Sequence, residues 1–149
     1  MMVAAIAAAL VSCQSKGTRS NEAAATDKDT TATQLSVFEG TLPAADGPGI
    51  RYILSVENPK ADQAGTYTLV TTYLDAKGAG KDQSFTSKGT KQLIRKDVDN
   101  QPKTALKLTP ENGDAPVYFV MVNDTTLRLV GEDLKEMDGE LNHDITLVK

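Results

Sequence analysis

The sequence is poor in the residues that build covalent or metal-bound sites. Of its 149 residues, one is Cys, one is His and none is Trp. Because the single Cys is Cys13, the chain can form no internal disulfide, and the part that follows offers no thiolate for catalysis or for a soft metal ion. Aromatic residues make up only 5%, so a folded core has to be built mainly from Leu, Val and Ile.

Basic residues are also scarce. Lys and Arg number 16 against 20 Asp and Glu, which gives a formal net charge of -4. An acidic balance opposes binding to a phosphate backbone, and no basic stripe with interleaved aromatic residues runs along the chain. We therefore expect no nucleic-acid partner. The length suits one domain and rarely two.

The N-terminal apolar run is too short for a permanent membrane span. Residues 1–12 carry no charge and are mostly Ala, Val, Ile and Leu. About ten apolar residues are half of what a spanning helix needs, but they suit the apolar region of an export signal. The run ends Leu10-Val11-Ser12-Cys13, which resembles the lipobox read by the lipoprotein signal peptidase. The sequence therefore predicts cleavage between Ser12 and Cys13 and lipidation of the Cys13 thiol, with the membrane as a partner through that lipid.

The leader lacks one usual part of an export signal, because no Lys or Arg precedes its apolar run. We expect a basic stretch upstream of Met1; the alternative is a buried N-terminal helix with a lone core Cys, although such a helix normally has a polar face. Gln14 follows the Cys, and in enterobacterial lipoproteins a non-acidic residue here favours the outer membrane. The absence of acidic residues from Gln14–Gly17 favours the periplasmic face.

Residues 14–34 contain Ser, Thr, Ala and mixed charges, but no large apolar residue. Such a stretch cannot bury enough surface to offset its ordering entropy. We therefore predict three parts: a signal peptide over residues 1–12, a lipidated Cys and flexible tether over residues 13–34, and a β-barrel domain over residues 35–149.

Within that domain, alternating and β-branched runs recur between turn residues, which indicates strands. The predicted strands are Ser36–Leu42, Ile50–Glu57, Thr66–Leu74, Phe85–Ile94, Ala105–Thr109, Val117–Val122, Thr126–Val130 and Ile145–Val148. Val117–Val122 is apolar on both faces, so we expect it to be covered on both sides. About eight short strands without a convincing helix predict an all-β fold, a small antiparallel up-and-down barrel.

Turn residues separate the predicted strands. Asn123-Asp124 tolerates positive φ and predicts a two-residue hairpin turn. Pro59, Pro102 and Pro110 are expected between strands, because Pro cannot donate to the hydrogen-bond ladder.

A series of short motifs runs through the domain in the order Phe38–Ile50, Gly65–Tyr67, Thr72–Leu74, Phe85–Thr90, Leu108–Thr109, Leu127–Val130 and Gly139–Leu147. Together with the lipobox they resemble the N-terminal domain of the NlpE family of copper-resistance and envelope-stress lipoproteins. The resemblance implies a small barrel related to the lipocalin type. It also implies a non-enzymatic outer-membrane protein in envelope stress sensing or copper-resistance-related homeostasis, with an envelope protein as partner.

The sequence departs from the family pattern where that pattern has a Cys-x-x-Cys pair. Ala44 and Gly47 occupy those two positions. Two thiolates at that spacing could hold Cu(I), whereas Ala and Gly cannot, so the copper-coordinating role is not expected here. Contacts made by the C-terminal second domain of longer members are not expected either.

The loop around Asp46 is a candidate site in its own right. Gly47, Pro48 and Gly49 follow Asp46, whose carboxylate can accept hydrogen bonds from nearby N–H groups in a tight turn. That structural role is one interpretation. The functional interpretation is a partner-docking loop with Asp46, Gly47 and Gly49 as its candidate residues.

Other residues form no recognisable catalytic set. The lone His143 has no second His or Cys as a partner, and Ser84 and Ser87 lack the Gly-x-Ser-x-Gly elbow. Acidic clusters such as Asp97–Asn100 lack EF-hand spacing and are interpreted as solvated loops. We predict no enzyme, no catalytic residue, no metal and no cofactor. The aromatic residues fall in predicted strands, where they pack in a core or, alternatively, line the mouth of a carrier for a small apolar ligand.

Overall fold

The structure, a computed structural model, describes residues 32–149. Within them, Gln34–Lys149 form one compact unit. Its strands are β1 Leu35–Leu42, β2 Ile50–Glu57, β3 Gly65–Tyr73, β4 Gln83–Val98, β5 Gln101–Pro110, β6 Val117–Asn123, β7 Thr126–Val130 and β8 Asp144–Leu147. The predicted leader, the cleavage site at Ser12 and Cys13, and nearly all of the tether lie outside the described residues.

Each strand pairs antiparallel with its neighbours in sequence, and β8 pairs with β1, so the sheet closes into an up-and-down barrel. The predicted all-β fold and its strand number are therefore confirmed. Two predicted strands, β2 and β7, have the predicted bounds, because apolar residues alternate clearly in both. Among residues 32–149 no helix has the length and apolar character needed to cross a membrane.

Two predictions about turns are wrong. Pro102 and Pro110 lie at the ends of β5 rather than between strands, paired with Asp97 and Gly89; strand ends tolerate a residue that cannot donate. The β6–β7 turn is Asp124-Thr125, with Asn123 still in β6 and its Oδ1 accepting from the Thr125 N–H at 2.9 Å.

The residues with positive φ at a two-residue hairpin are instead Asp99 (52°) and Asn100 (65°), between β4 and β5. This is the conformation that matches the right-handed twist of the flanking strands. It extends β4 four residues beyond the predicted end at Ile94, as far as Val98. The acidic cluster Asp97–Asn100 is therefore the tip of a hairpin.

The barrel interior is filled by buried apolar side chains from seven of the eight strands, and β4 adds the partly buried Leu93. Its buried members are Phe38, Leu42, Leu54, Val56, Tyr67, Leu69, Leu106, Leu108, Phe119, Leu127 and Ile145. They occupy every second position of their strands, because side chains alternate between the two faces of a sheet. At about 25 cal/mol per Å² of apolar surface removed from water, this interior is the main source of stability.

A second apolar cluster lies outside the barrel. Tyr118 and Val120 of β6 face outward and are covered by Leu134, which is fully buried within the segment 131–143 between β7 and β8. Phe119, between them, faces the interior. The expectation that β6 is covered on both sides is confirmed for Tyr118–Val120.

The loops sort to the two ends of the barrel because consecutive strands are antiparallel. The β2–β3 loop (58–64) and the turns at Asp99-Asn100 and Asp124-Thr125 form one end, called here the closed end. The loops 43–49, 74–82 and 111–116 form the other end, called here the mouth. The segment 131–143 starts and ends there but runs along the outside of the barrel, where Lys135 Nζ lies 3.8 Å from Asp99 Oδ1 of the closed end.

Candidate functional site: an aromatic cavity at the barrel mouth

At the closed end, Lys91 bonds the β2–β3 loop across the barrel. Lys91 of β4 points into the barrel and is 0% exposed. Its Nζ donates to the carbonyl oxygens of Asn58 (2.8 Å), Ala61 (2.8 Å) and Gln63 (3.0 Å), all in the β2–β3 loop. Three acceptors match the three protons of an ammonium group, so the loop is tied across this end. Burial lowers the pKa of Lys91, partly offset by the charges of Asp62 and Glu57.

The same loop binds the start of the barrel. The Gln34 N–H donates to Asn58 Oδ1 at 2.8 Å, and the Asn58 N–H donates to the Gln34 carbonyl oxygen at 2.7 Å. Pro59, a member of this loop, is buried. The exposed ion pair of Lys60 with Asp124 (2.9 Å) adds little in solvent. The contacts of Lys91, Asn58 and Gln34 together hold this loop across the closed end.

The mouth contains an open cavity of about 690 Å³. It lies between the start of β2, the end of β3, the start of β4 and the loop 111–116. The lining residues are Tyr52, Leu69, Thr71, Tyr73, Phe85, Thr86, Ser87, Pro110, Asn112, Asp114, Ala115 and Val117. This volume falls within the range of ordinary small-molecule sites.

Strand register assembles the aromatic wall of the cavity. Tyr52 pairs with Thr71, and Thr71 pairs with Phe85, so these three residues form one row across β2, β3 and β4. Tyr73 lies two residues after Thr71 and therefore shares its face. The rings of Tyr73 and Phe85 meet edge to face, with centroids 5.7 Å apart and planes at 90°.

The rings differ in their exposure to solvent. Tyr73 is 41% and Phe85 52% exposed, which is unusual for aromatic rings on the inner face of a barrel. Tyr52 is deeper and meets Phe119 of the interior core edge to face. Burial, and then the neighbouring Tyr73, raise the pKa of Tyr52. The cavity therefore extends from the solvent-exposed rings of Tyr73 and Phe85 to Tyr52, which contacts the packed core.

Polar groups lie on two sides of the rings. The Ser87 hydroxyl is 3.0 Å from the Tyr67 hydroxyl, which marks the floor. On the rim, Asn112 Nδ2 donates to Asp114 Oδ2 at 2.7 Å, and the Asp114 N–H donates to Asn112 Oδ1 at 3.0 Å. These two bonds fix the Asp114 carboxylate, which is the only charged group among the lining residues.

The loop of Asp46, Gly47 and Gly49 also lies at the mouth, but it does not line the cavity. Gly47 and Gly49 have φ values of 119° and 148°, and the buried Gly49 accepts a hydrogen bond from the Leu74 N–H at 3.1 Å. Asp46 is exposed, and its carboxylate makes no hydrogen bond to a neighbouring N–H within the part of the chain that the structure describes. The Gly49 carbonyl thus fastens the loop to Leu74, which directly follows β3.

The residues at the family's cysteine positions do not fit copper. Ala44 and Gly47 carry no ligand atom in their side chains. Across residues 32–149, moreover, no three His, Cys, Asp or Glu side chains come together in a way that could hold a metal ion.

The other candidate residues are placed apart from one another. Ser84 bonds Thr72 across the β3–β4 pair at 2.8 Å, and Ser87 bonds Tyr67. His143 lies just before β8, where its carbonyl oxygen accepts from the Leu129 N–H at 2.9 Å. The structure does not bring the serines and His143 together.

Two arrangements escaped sequence analysis. Lys91 reads as a surface residue in a polar stretch. Alternation in the stretch Thr126–Val130 predicts that Arg128 faces outward, between the inward Leu127 and Leu129. It does so, but it also forms a bidentate pair with Asp144 at 2.6 and 3.0 Å and binds Glu136 at 2.6 Å. The hydrogen bond from Arg128 lowers the pKa of Asp144, and bonds from Lys103 and Arg128 lower that of Glu136. This network fastens the segment 131–143 over the outer apolar cluster.

Comparison with known proteins gives one match. Residues 38–140, more than half of the chain, match the family model described as the NlpE N-terminal domain. No curated protein and no solved structure matches the chain. The chain belongs to the NlpE N-terminal domain family, a family of envelope-associated lipoproteins that is not known as an enzyme family.

Proposed function

We propose that this protein is a lipid-anchored outer-membrane protein of the NlpE type, held on the periplasmic face through Cys13. It acts without catalysis, in envelope stress sensing or copper-resistance-related homeostasis, by presenting its barrel to another envelope protein. The observation that carries this proposal is the family match over residues 38–140. Ala44 and Gly47, in place of two cysteines, support a mode of action without a Cu(I) site.

The anchor is tested by metabolic labelling with a fatty acid in a bacterium that processes lipoproteins. We expect the mature protein to carry the label and to fractionate with the outer membrane, whereas Cys13→Ala should remain unlabelled. Ser15→Ala is the matched control and should be labelled normally. An unlabelled wild-type protein that still begins at Met1 would refute the anchor.

The sensing role is tested with an envelope-stress reporter in the same strains. Overproduction of the wild-type protein should raise the reporter signal, and Cys13→Ala should abolish the increase because the barrel is no longer held at the membrane. Asp46→Asn, at the candidate docking loop, separates a partner contact from anchoring, since it should lower the signal while labelling is unchanged. Equal signals from all three proteins would contradict the proposal.

A second candidate function, a carrier of a small apolar ligand, is favoured by the mouth cavity. Its volume of about 690 Å³ and its three rings suit a small molecule. The lower barrel is filled by Phe38, Leu54, Val56 and their neighbours, so a ligand would occupy the mouth rather than extend along the axis. Native mass spectrometry of the polypeptide from residue 13 onward, carrying Cys13→Ala, should detect a bound small molecule. A species of bare polypeptide mass under all mild conditions argues against the carrier.

A further inference from the structure

We propose that the mouth cavity binds an organic cation, a molecule with an alkylated ammonium head and a small apolar body. This inference rests on the second candidate function, the carrier, and names the class of ligand. Three aromatic rings and one carboxylate border the same open cavity. The partial negative charge of the ring faces and the full negative charge of the carboxylate both favour a positively charged ligand.

The rings supply the first part of the argument. An aromatic face carries partial negative charge and attracts a cation held within about 6 Å of its centre. Tyr73 and Phe85 stand at 90° with centroids 5.7 Å apart, so they form a corner rather than a stack. Tyr52 closes the corner on the side of the core. Walls of this kind are used to recognise quaternary ammonium groups.

The fixed carboxylate supplies the second part. Asn112 holds Asp114 Oδ2 at 2.7 Å, while Asp114 Oδ1 has no hydrogen-bond partner among residues 32–149. Among the lining residues that the structure describes there is no Lys, Arg or His to neutralise Asp114. An anionic head group would find neutral donors here, the hydroxyls of Thr71, Thr86 and Ser87 and the amide of Asn112, but no positive charge. The charge of Asp114 and the ring faces would repel it, so a fatty acid is disfavoured.

The charges of the adjacent loop do not reverse this preference. The loop 74–82 contains Lys77 and Lys81, but also Asp75 and Asp82. Asp82 accepts from the Asp75 N–H at 3.0 Å and Asp75 accepts from the Gly80 N–H, which keeps both carboxylates within the same loop as the lysines. The local balance is neutral, and the lining of the cavity remains negative.

The test compares three probes of similar size on the polypeptide from residue 13 onward carrying Cys13→Ala. The probes are choline, its uncharged carbon analogue 3,3-dimethyl-1-butanol, and the anion hexanoate. Two of the four Tyr line the cavity and the chain has no Trp, so tyrosine fluorescence and NMR shifts report on the site. We expect choline to bind at least about tenfold more tightly than either other probe.

Variants locate the binding. Phe85→Leu keeps an apolar side chain but removes a ring, and should weaken choline binding about tenfold; Asp114→Asn should weaken it about fivefold. Asp97→Asn makes the same charge change in β4 near the closed end and should leave binding unchanged. Circular dichroism and thermal unfolding check that each variant remains folded.

The outcomes separate this inference from the carrier function. If dimethylbutanol or hexanoate binds as tightly as choline, the cavity is a carrier site without cation preference, and the inference is wrong while the carrier stands. If none of the three probes binds and native mass spectrometry detects no other ligand, both are wrong. If Asp97→Asn weakens choline binding as much as Asp114→Asn does, the cation binds elsewhere. That result would also overturn the inference.

Discussion

The two ends of this barrel are built from the same strands, yet they differ in how much apolar surface they expose to solvent. At the closed end one loop of seven residues, 58–64, crosses the opening, and Lys91 satisfies three of its carbonyl groups. At the mouth the loop 111–116 borders an open cavity that two exposed rings line. A buried charge is therefore used to stabilise one end, whereas apolar rings are left in solvent at the other. The difference agrees with the proposals above, in which the closed end stabilises the fold and the mouth meets another molecule.

Removing the ammonium group should have the largest effect. Lys91→Met keeps an apolar stem but leaves the carbonyls of Asn58, Ala61 and Gln63 without their donor, and should destabilise the protein by about 3 kcal/mol. Urea unfolding measures this change, and hydrogen exchange should show faster exchange for amides of the loop 58–64.

Lys96→Met is the matched control, because Lys96 is exposed on the same strand. It should change the free energy of unfolding by less than about 0.5 kcal/mol. If the two variants are equally stable, apolar packing rather than Lys91 holds the closed end.

Stability should also depend on Gly49, where the loop 43–49 at the mouth is fastened to the barrel. A Cβ on Gly49 would lie 2.8 Å from Thr41 Cγ2 and 3.0 Å from the Leu42 carbonyl oxygen, at a φ of +148°. Gly49→Ala should therefore destabilise the protein by about 2 kcal/mol. Gly78→Ala has a φ of +110° but nothing within 4 Å of the added atom, so it should lose only about 1 kcal/mol. Equal thermal midpoints for the two variants would mean that crowding at Gly49 is relieved.

The stability that the Arg128–Asp144 pair gives to the segment 131–143 should depend on pH. Asp144→Asn removes one partner of the bidentate pair with Arg128 and should destabilise the protein by about 1.5 kcal/mol at neutral pH. Because the pKa of Asp144 is lowered from 3.8 in the folded protein, the pair contributes fully above that value. Its contribution is lost as the pH falls through the lowered pKa.

Urea unfolding of wild type and Asp144→Asn from neutral pH to about pH 2 measures this dependence. The gap between the two proteins should shrink in acid, while Asp138→Asn, an exposed acid of the same segment, should follow the wild type throughout. A gap that stays constant with pH would show that Arg128 gains nothing from the charge of Asp144.

The exposed rings should matter least for stability. Phe85 is 52% exposed, so Phe85→Leu should change the free energy of unfolding by less than about 0.5 kcal/mol. Leu69→Ala, in the buried core just below, is the contrast and should lose about 3 kcal/mol. A large loss from Phe85→Leu in thermal unfolding would make the ring part of the core and weaken the division between the two ends.

The barrel could be predicted from sequence because its strands alternate locally and are joined in chain order. Alternation at Tyr52, Leu54 and Val56 is visible without any structure, and so is the two-faced apolar character of β6. The end of β4 could not be predicted, because Arg95, Lys96 and Asp97 lack apolar alternation and are held in the strand by the hairpin at Asp99-Asn100. Strand prediction thus fails where pairing rather than burial defines the strand.

The site could be predicted only in part. That some aromatic residues would line a mouth was one of two interpretations, but which rings meet depends on the register that aligns Tyr52, Thr71 and Phe85. Lys91 shows the limit more clearly, since its burial requires a loop about thirty residues earlier in the chain to fold over it. Neither the register nor that loop contact has a local signature.

The position of the two termini of the barrel determines where a tag can be attached to the domain without covering the mouth. Gln34 is bonded to Asn58 at the start of β1, and the Val37 N–H donates to the Lys149 carbonyl oxygen at 2.7 Å. Both termini of Gln34–Lys149 therefore emerge beside Lys91 and its loop. A fluorescent protein or surface tag attached to either terminus would sit on the far side from Tyr73 and Phe85, and immobilisation through it would leave those rings accessible to solutes.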